Sequence, residues 1–185
     1  MKIIKILVIT IFIVIFCLLL WCLISIYREN KEAKAYSEFV TNSTNQIITS
    51  VENVNSELNK IQYDGIQEEY TVDLEKRATS LQSEIDRIKN EQKDYAVPKS
   101  GHTVEAKFNE YIGQSEIINN SLADTIQVVK NLDSVDTFET KINLYIEASN
   151  KLQSLSKELE TELSLLVQTY QKIDFKRFTD EIKSI

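Results

Sequence analysis

Chemistry in this chain would have to be assembled from very few reactive side chains. His102 is the only histidine, and Cys17 and Cys22 are the only cysteines. One imidazole excludes a histidine cluster for zinc or non-haem iron within the chain. A Cys–His nucleophilic pair is excluded too, because both cysteines fall inside an apolar run that His102 lies far from. A Ser-His-Asp arrangement would have to use His102, and neither a G-x-S-x-G elbow nor a glycine-rich phosphate loop is present. Carboxylates are plentiful, as at Glu68-Glu69, Glu158, Glu160 and Glu162. At helical spacing among polar neighbours they read as a solvated face. The Glu-x-x-His pairs of di-iron bundles are missing, and Asp133 with Asp136 lacks the spacing and glycine of a calcium loop. The expectation is a protein without catalytic activity, metal or cofactor.

One stretch could do surface chemistry. Lys172, Phe175, Lys176, Arg177 and Phe178 form a locally basic, aromatic segment, with Lys183 close behind. Cations interleaved with aromatic rings suit contact with a membrane surface, the rings dipping in and the cations meeting anionic headgroups. The same residues would also suit a helix end, with the phenylalanines in a core and the cations against the helix dipole.

The elements that position these side chains follow from composition and periodicity. The chain has 185 residues and a net charge of −7. Residues 1–27 contain two lysines and no acid, so residues 28–185 carry 19 basic and 28 acidic side chains, a net of −9. Such an acidic body repels nucleic acid, whose binding depends on neutralised phosphates. Three glycines and one proline are too few for the turns of a sandwich, a barrel or a nucleotide-binding sheet.

Residues 6–27 contain no charge and only Thr10 and Ser25 as polar side chains. As a helix the run is about 33 Å long, enough for a hydrocarbon core of about 30 Å. It is longer than the apolar part of a cleaved signal peptide, and no A-x-A-like site follows. Phe16 and Trp21, which precede the two cysteines, are too bulky for lipoprotein processing. The expectation is an uncleaved single-pass anchor, a signal anchor with residues 1–5 as a short basic cytoplasmic tail and the bulk of the chain extracytoplasmic.

Four stripes of helical period follow a polar stalk at 28–38. Val40, Ile47, Val51, Val54, Leu58 and Ile61 mark a helix over about 39–62, with Thr44 in the missing position. Tyr70, Leu74, Ala78, Leu81, Ile85 and Ile88 mark one over 67–93, and Val104, Phe108, Tyr111, Ser115, Ile118, Leu122, Ile126, Val129 and Leu132 one over 103–132. Phe138, Ile142, Tyr145, Leu152, Leu155, Leu159, Leu163, Leu166, Tyr170 and Ile173 mark the last, over 137–182, opened by an Asp136 N-cap with Glu139 three residues on. Asp64-Gly65 and the Tyr95–Thr103 loop supply the turns, with Pro98 biasing Val97 toward extended geometry and Gly101 permitting positive φ. Gly113 stands mid-helix, which close approach of a neighbouring helix would explain, as would chance.

The fold expected is all-α: one N-terminal transmembrane helix, then an up-down antiparallel four-helix bundle over 39–185 with coiled-coil-like packing. The alternative is an extended coiled-coil dimer burying the same stripes. In layout the chain resembles membrane-anchored helical bundles of bacteria, the LemA family among them, and the sensor bundles of chemoreceptors. It lacks the RRxDLIPN-like stretch of LemA-type proteins and a second membrane segment, so no residue role is carried over.

Two functions compete. The first is a membrane-anchored scaffold or protein-interaction module, with the lipid bilayer and another membrane or envelope protein as partners and self-association through the soluble helices. The second is a ligand-sensing bundle with a pocket between helices near Gly113 and the 95–103 loop, signalling through a partner subunit.

Overall fold

A computed structural model describes residues 2–64, 68–131 and 135–171. Among them the fold is all-α, a helical bundle with an apolar N-terminal helix. Helix α1 is Lys2–Asp64, α2 is Glu68–Glu91, α3 is His102–Lys130 and α4 is Val135–Gln171, and two short 3-10 turns, Gln92–Asp94 and Lys99–Gly101, bridge α2 and α3. Each helix packs against the next in sequence and α4 closes the ring on α1. The chain therefore runs up, down, up and down around one core, and the intramolecular bundle, not an extended dimer, buries the stripes.

The stripes are buried as their spacing requires. Ile47, Val54, Leu81, Ile85, Ile118 and Leu122 are among the side chains sealed from solvent. A helix this long carries its own backbone hydrogen bonds, but an apolar stripe left wet would not hold it, so neighbours must cover the stripe. Each fully buried Leu or Ile contributes roughly 1.5–3 kcal/mol to that end. Several polar groups inside the core have partners. Tyr111 Oη donates to the Thr44 carbonyl at 3.1 Å, while Thr44 Oγ1 donates back to Val40 O at 2.8 Å. Gln114 Nε2 donates across the α3–α4 seam to Ala148 O at 3.0 Å. Glu57, the one charged side chain in the buried set among the described residues, accepts from Lys60 Nζ at 2.9 Å and lies 3.9 Å from Arg77.

Ion pairs stitch the seams at their rims: Lys89–Glu116 at 2.7 Å and Lys130–Glu75 join α2 to α3, Lys141–Asp124 at 2.8 Å joins α3 to α4. Exposed pairs of this kind contribute at most about 1 kcal/mol each, so they mark register more than they supply stability.

Three local expectations need correction. Gly113 accommodates no close neighbour: a Cβ built there meets nothing within 4 Å. Gly101 is not left-handed, at φ −92° and ψ 0°. Its side chain is excluded sterically instead, because a Cβ would lie 2.7 Å from Pro98 Cγ. Finally, α4 is already helical at Val135, which puts Asp136 inside the first turn and not before it.

Candidate interaction site

The helix that carries the apolar segment also enters the core, without a break. Side chains from Ile9 to Trp21 are exposed, with Phe12 and Trp21 at 74% and 70% exposure. Three to four turns further on, Ala33 and Tyr36 are at 3% and 0%. Burial thus begins within 28–38, closer to the apolar segment than the stripe of branched residues indicates. An alanine and a tyrosine break no period of Val, Ile and Leu, so that stripe does not show them.

This proximal end of the bundle is built from three elements. Antiparallel order brings the start of the soluble part of α1, the α2–α3 connection and the end of α4 together. Phe39 on α1 stacks on Tyr95 of the connection, with centroids 4.3 Å apart, and meets Phe108 of α3 edge-on at 5.7 Å. Tyr170 on α4 shares a short hydrogen bond with Ser100 and donates to Glu29 Oε1 at 3.5 Å. Arg28 and Glu32 pair at 2.7 Å just above the apolar segment. Between α1 and α4 a groove of about 560 Å³ opens, lined by Asn30, Ala33, Lys34, Ser37, Val167 and Tyr170. A second, of about 360 Å³, lies between α1 and α2 beside Tyr95 and Arg87.

Tyr36 is the odd group of this end. Its hydroxyl is buried and finds no hydrogen-bond partner among the described residues. Burial, with the Glu105 carboxylate adding to it, pushes its ionisation well above the usual phenol range.

Charge is distributed unevenly along the bundle axis. The segments 28–34 and 92–101 contribute Arg28, Lys31, Lys34, Lys93 and Lys99 against Glu29, Glu32 and Asp94. Together these hold five basic and three acidic side chains, in a body (28–185) that is acidic overall. The chain matches no family model, no curated protein and no solved structure, so its own residues carry every functional statement.

The sequence-predicted surface residues Lys172, Phe175, Lys176, Arg177 and Phe178 lie outside the described residues. Gly113 lines neither groove described above, whereas Tyr95 of the 95–103 loop borders the second. His102 is exposed, with Nδ1 3.4 Å from Glu105 Oε2. No cluster of three His, Cys, Asp or Glu could hold a metal among the described residues. Lys93 and Lys99 were not among the residues singled out from sequence. Counting helix directions would have found them, since an even number of crossings returns the chain to its starting end.

Proposed function

We propose that this chain is a single-pass membrane protein whose bundle, largely extracytoplasmic, serves as a non-catalytic scaffold or interaction module for another membrane or envelope protein. The observation that carries the reading is the continuity of α1. One helix is long and apolar enough to cross a membrane, and the same helix supplies a wall of the bundle core. Exposed Ile, Leu and Phe over more than four turns have no reason to persist in water, and lipid is the solvent that suits them. An unbroken helix holds the bundle at a set distance and rotation above the bilayer, a useful property in a scaffold and of no use to a freely diffusing enzyme.

Topology tests it. A single cysteine at Asn150, exposed on α4, in a Cys17→Ser/Cys22→Ser background is labelled with a membrane-impermeant maleimide. Labelling of intact cells is the expected result. Labelling only after lysis would put the bundle in the cytosol and sink the extracytoplasmic half of the proposal. Recovery of the full chain in the soluble fraction after carbonate washing would sink the anchor.

A further inference from the structure

We infer that the distal half of the α1–α4 face is a pairing surface for a second copy of this chain, the two bundles meeting through uncharged amide and hydroxyl side chains. The inference rests on the reading of the apolar segment as a membrane anchor and names a partner for the interaction module.

Charge comes first. Ion pairs cross three of the four seams: Arg77–Glu57 at 3.9 Å between α1 and α2, Lys89–Glu116 at 2.7 Å between α2 and α3, and Lys141–Asp124 at 2.8 Å between α3 and α4. Among the described residues none crosses between α4 and α1. A groove of about 260 Å³ opens there instead, and none of the residues that line it is charged. Asn55 and Asn59 of α1 stand on one side of it, and Ser149, Asn150 and Gln153 of α4 on the other. The two grooves at the proximal end each carry both signs, Lys34 with Glu38 and Arg87 with Glu91.

Hydrogen bonding comes second. Tyr145 Oη donates to Asn55 Oδ1 at 2.9 Å, which occupies the Asn55 carbonyl and leaves its Nδ2 for the groove. The side chains of Asn59, Ser149, Asn150 and Gln153 have no hydrogen-bond partner among the described residues. Each of these groups both donates and accepts, so a face built of them is complementary to itself, whereas a face of one charge sign is not. Ile146 stands beside them 47% exposed, an apolar anchor within a polar rim.

Height comes third. Asn55 lies about 42 Å of helix rise beyond Tyr27 on the unbroken α1. Anchors in one bilayer set every copy at the same depth, so the grooves of neighbouring copies stand at one level. A twofold axis along the membrane normal then brings the face against itself in register. Elsewhere two acidic bodies, each with a net charge of −9 over 28–185, repel one another, and the neutral face is where they approach at least cost. Confinement to one bilayer raises the effective concentration of copies, so a modest surface suffices.

The test uses the full chain reconstituted at low density in phosphatidylcholine vesicles. Donor or acceptor fluorophores are placed on a cysteine at Ser83 in the Cys17→Ser/Cys22→Ser background, exposed on α2, a helix that does not line the groove. Energy transfer above that of randomly dispersed copies is the expected result. Asn59→Glu/Gln153→Glu should weaken pairing by about ten-fold or more, because like charges then meet across the axis. Asn59→Lys/Gln153→Lys should weaken it likewise, and mixing the glutamate chain with the lysine chain should restore it, which a folding defect would not allow. Thr79→Glu/Ser80→Glu on α2 should leave pairing unchanged. Absence of transfer overturns the inference and leaves the face to a different protein or to none. Transfer indifferent to charge at Asn59 and Gln153 overturns it too, and puts self-association elsewhere on the bundle. Asn150 borders the groove, so its labelling as a topology reporter is also read in the double-glutamate chain, whose face stays open. Flotation of the vesicles separates the two readings. A chain that floats with the lipid yet shows no transfer keeps the anchor and loses the pairing surface, and a chain left behind loses both.

Discussion

The Tyr111 hydroxyl on α3 donates to the Thr44 carbonyl on α1 at 3.1 Å, across 67 positions of sequence. Among the described residues three tyrosines are buried in the bundle, and they differ in how the hydroxyl is treated. Tyr145 also has a partner, Asn55 Oδ1 at 2.9 Å, whereas Tyr36 has none among the described residues. Tyr111→Phe is therefore expected to cost about 1 kcal/mol and Tyr145→Phe a similar amount, the net worth of a hydrogen bond. Tyr36→Phe removes an unpaired buried hydroxyl, so it should be neutral or stabilising by up to about 1 kcal/mol. Thermal denaturation of the full chain in detergent, followed by circular dichroism, reads all three. Loss of stability in Tyr36→Phe matching that in Tyr111→Phe would mean the Tyr36 hydroxyl has a partner.

Alkaline pH should unfold the bundle through the same three side chains. Burial raises the ionisation of Tyr36, Tyr111 and Tyr145 above the usual phenol value, with Glu105 adding to it at Tyr36. The neutral phenol is thus favoured in the folded state, so the unfolded chain ionises first. Stability is full below about pH 10 and falls as pH rises beyond it, by up to about 1.4 kcal/mol per pH unit for each tyrosine. Tyrosinate absorbance and helicity should change together. Ionisation of all tyrosines with helicity intact would refute this.

The two helical-region glycines should respond with opposite signs. Gly113→Ala places a methyl group in open space inside α3 and should stabilise by roughly 0.5–1 kcal/mol, the propensity difference between the residues. Gly101→Ala drives a Cβ into the Pro98 ring, which cannot move without its backbone, and should destabilise by more than about 1 kcal/mol. Shifts in Tm of the same sign would show that one of the two environments is misread.

Truncation of apolar side chains should separate the core from the bundle exterior. Ile118 is sealed from solvent, and Ile118→Ala should cost about 2–5 kcal/mol. Leu165 is 53% exposed, and Leu165→Ala should change stability by less than about 0.5 kcal/mol. A large loss at Leu165 would reveal a self-association interface on that side of α4, and analytical ultracentrifugation of the full chain would then show an oligomer.

Much of the architecture is legible in the chain because helical period is a local property. Steps of 3 and 4 between Val, Ile and Leu residues mark the buried face of every helix, and the residues so marked on α1 from Val40 to Ile61 are all buried. Asp64-Gly65, Pro98 and Gly101 mark where helices cannot continue. The reason for a glycine was harder to read. At Gly101 the exclusion comes from the Pro98 ring and not from backbone handedness, and at Gly113 no exclusion exists. Both answers depend on what stands nearby in space, which periodicity does not encode. Gln114 escaped notice for the same reason, since a polar side chain is acceptable in a core only where an acceptor such as Ala148 O awaits it.

The candidate site divides in the same way. An apolar run, a basic aromatic stretch and an acidic body can be counted along the chain, because charge and hydropathy belong to the residues themselves. Which segments meet at one end cannot be counted so simply. Arg28, Lys99 and Tyr170 are 70 or more positions apart, and only the lengths and antiparallel directions of four packed helices set them beside each other. Tyr36 lies in a segment polar enough to pass for a bare stalk, yet it is buried because neighbouring elements reach down to cover it. Helix existence is decided within a few turns of chain, where side-chain period and turn residues act. Proximity is decided by the packing that buries the stripes, and so it appears once the whole chain has folded.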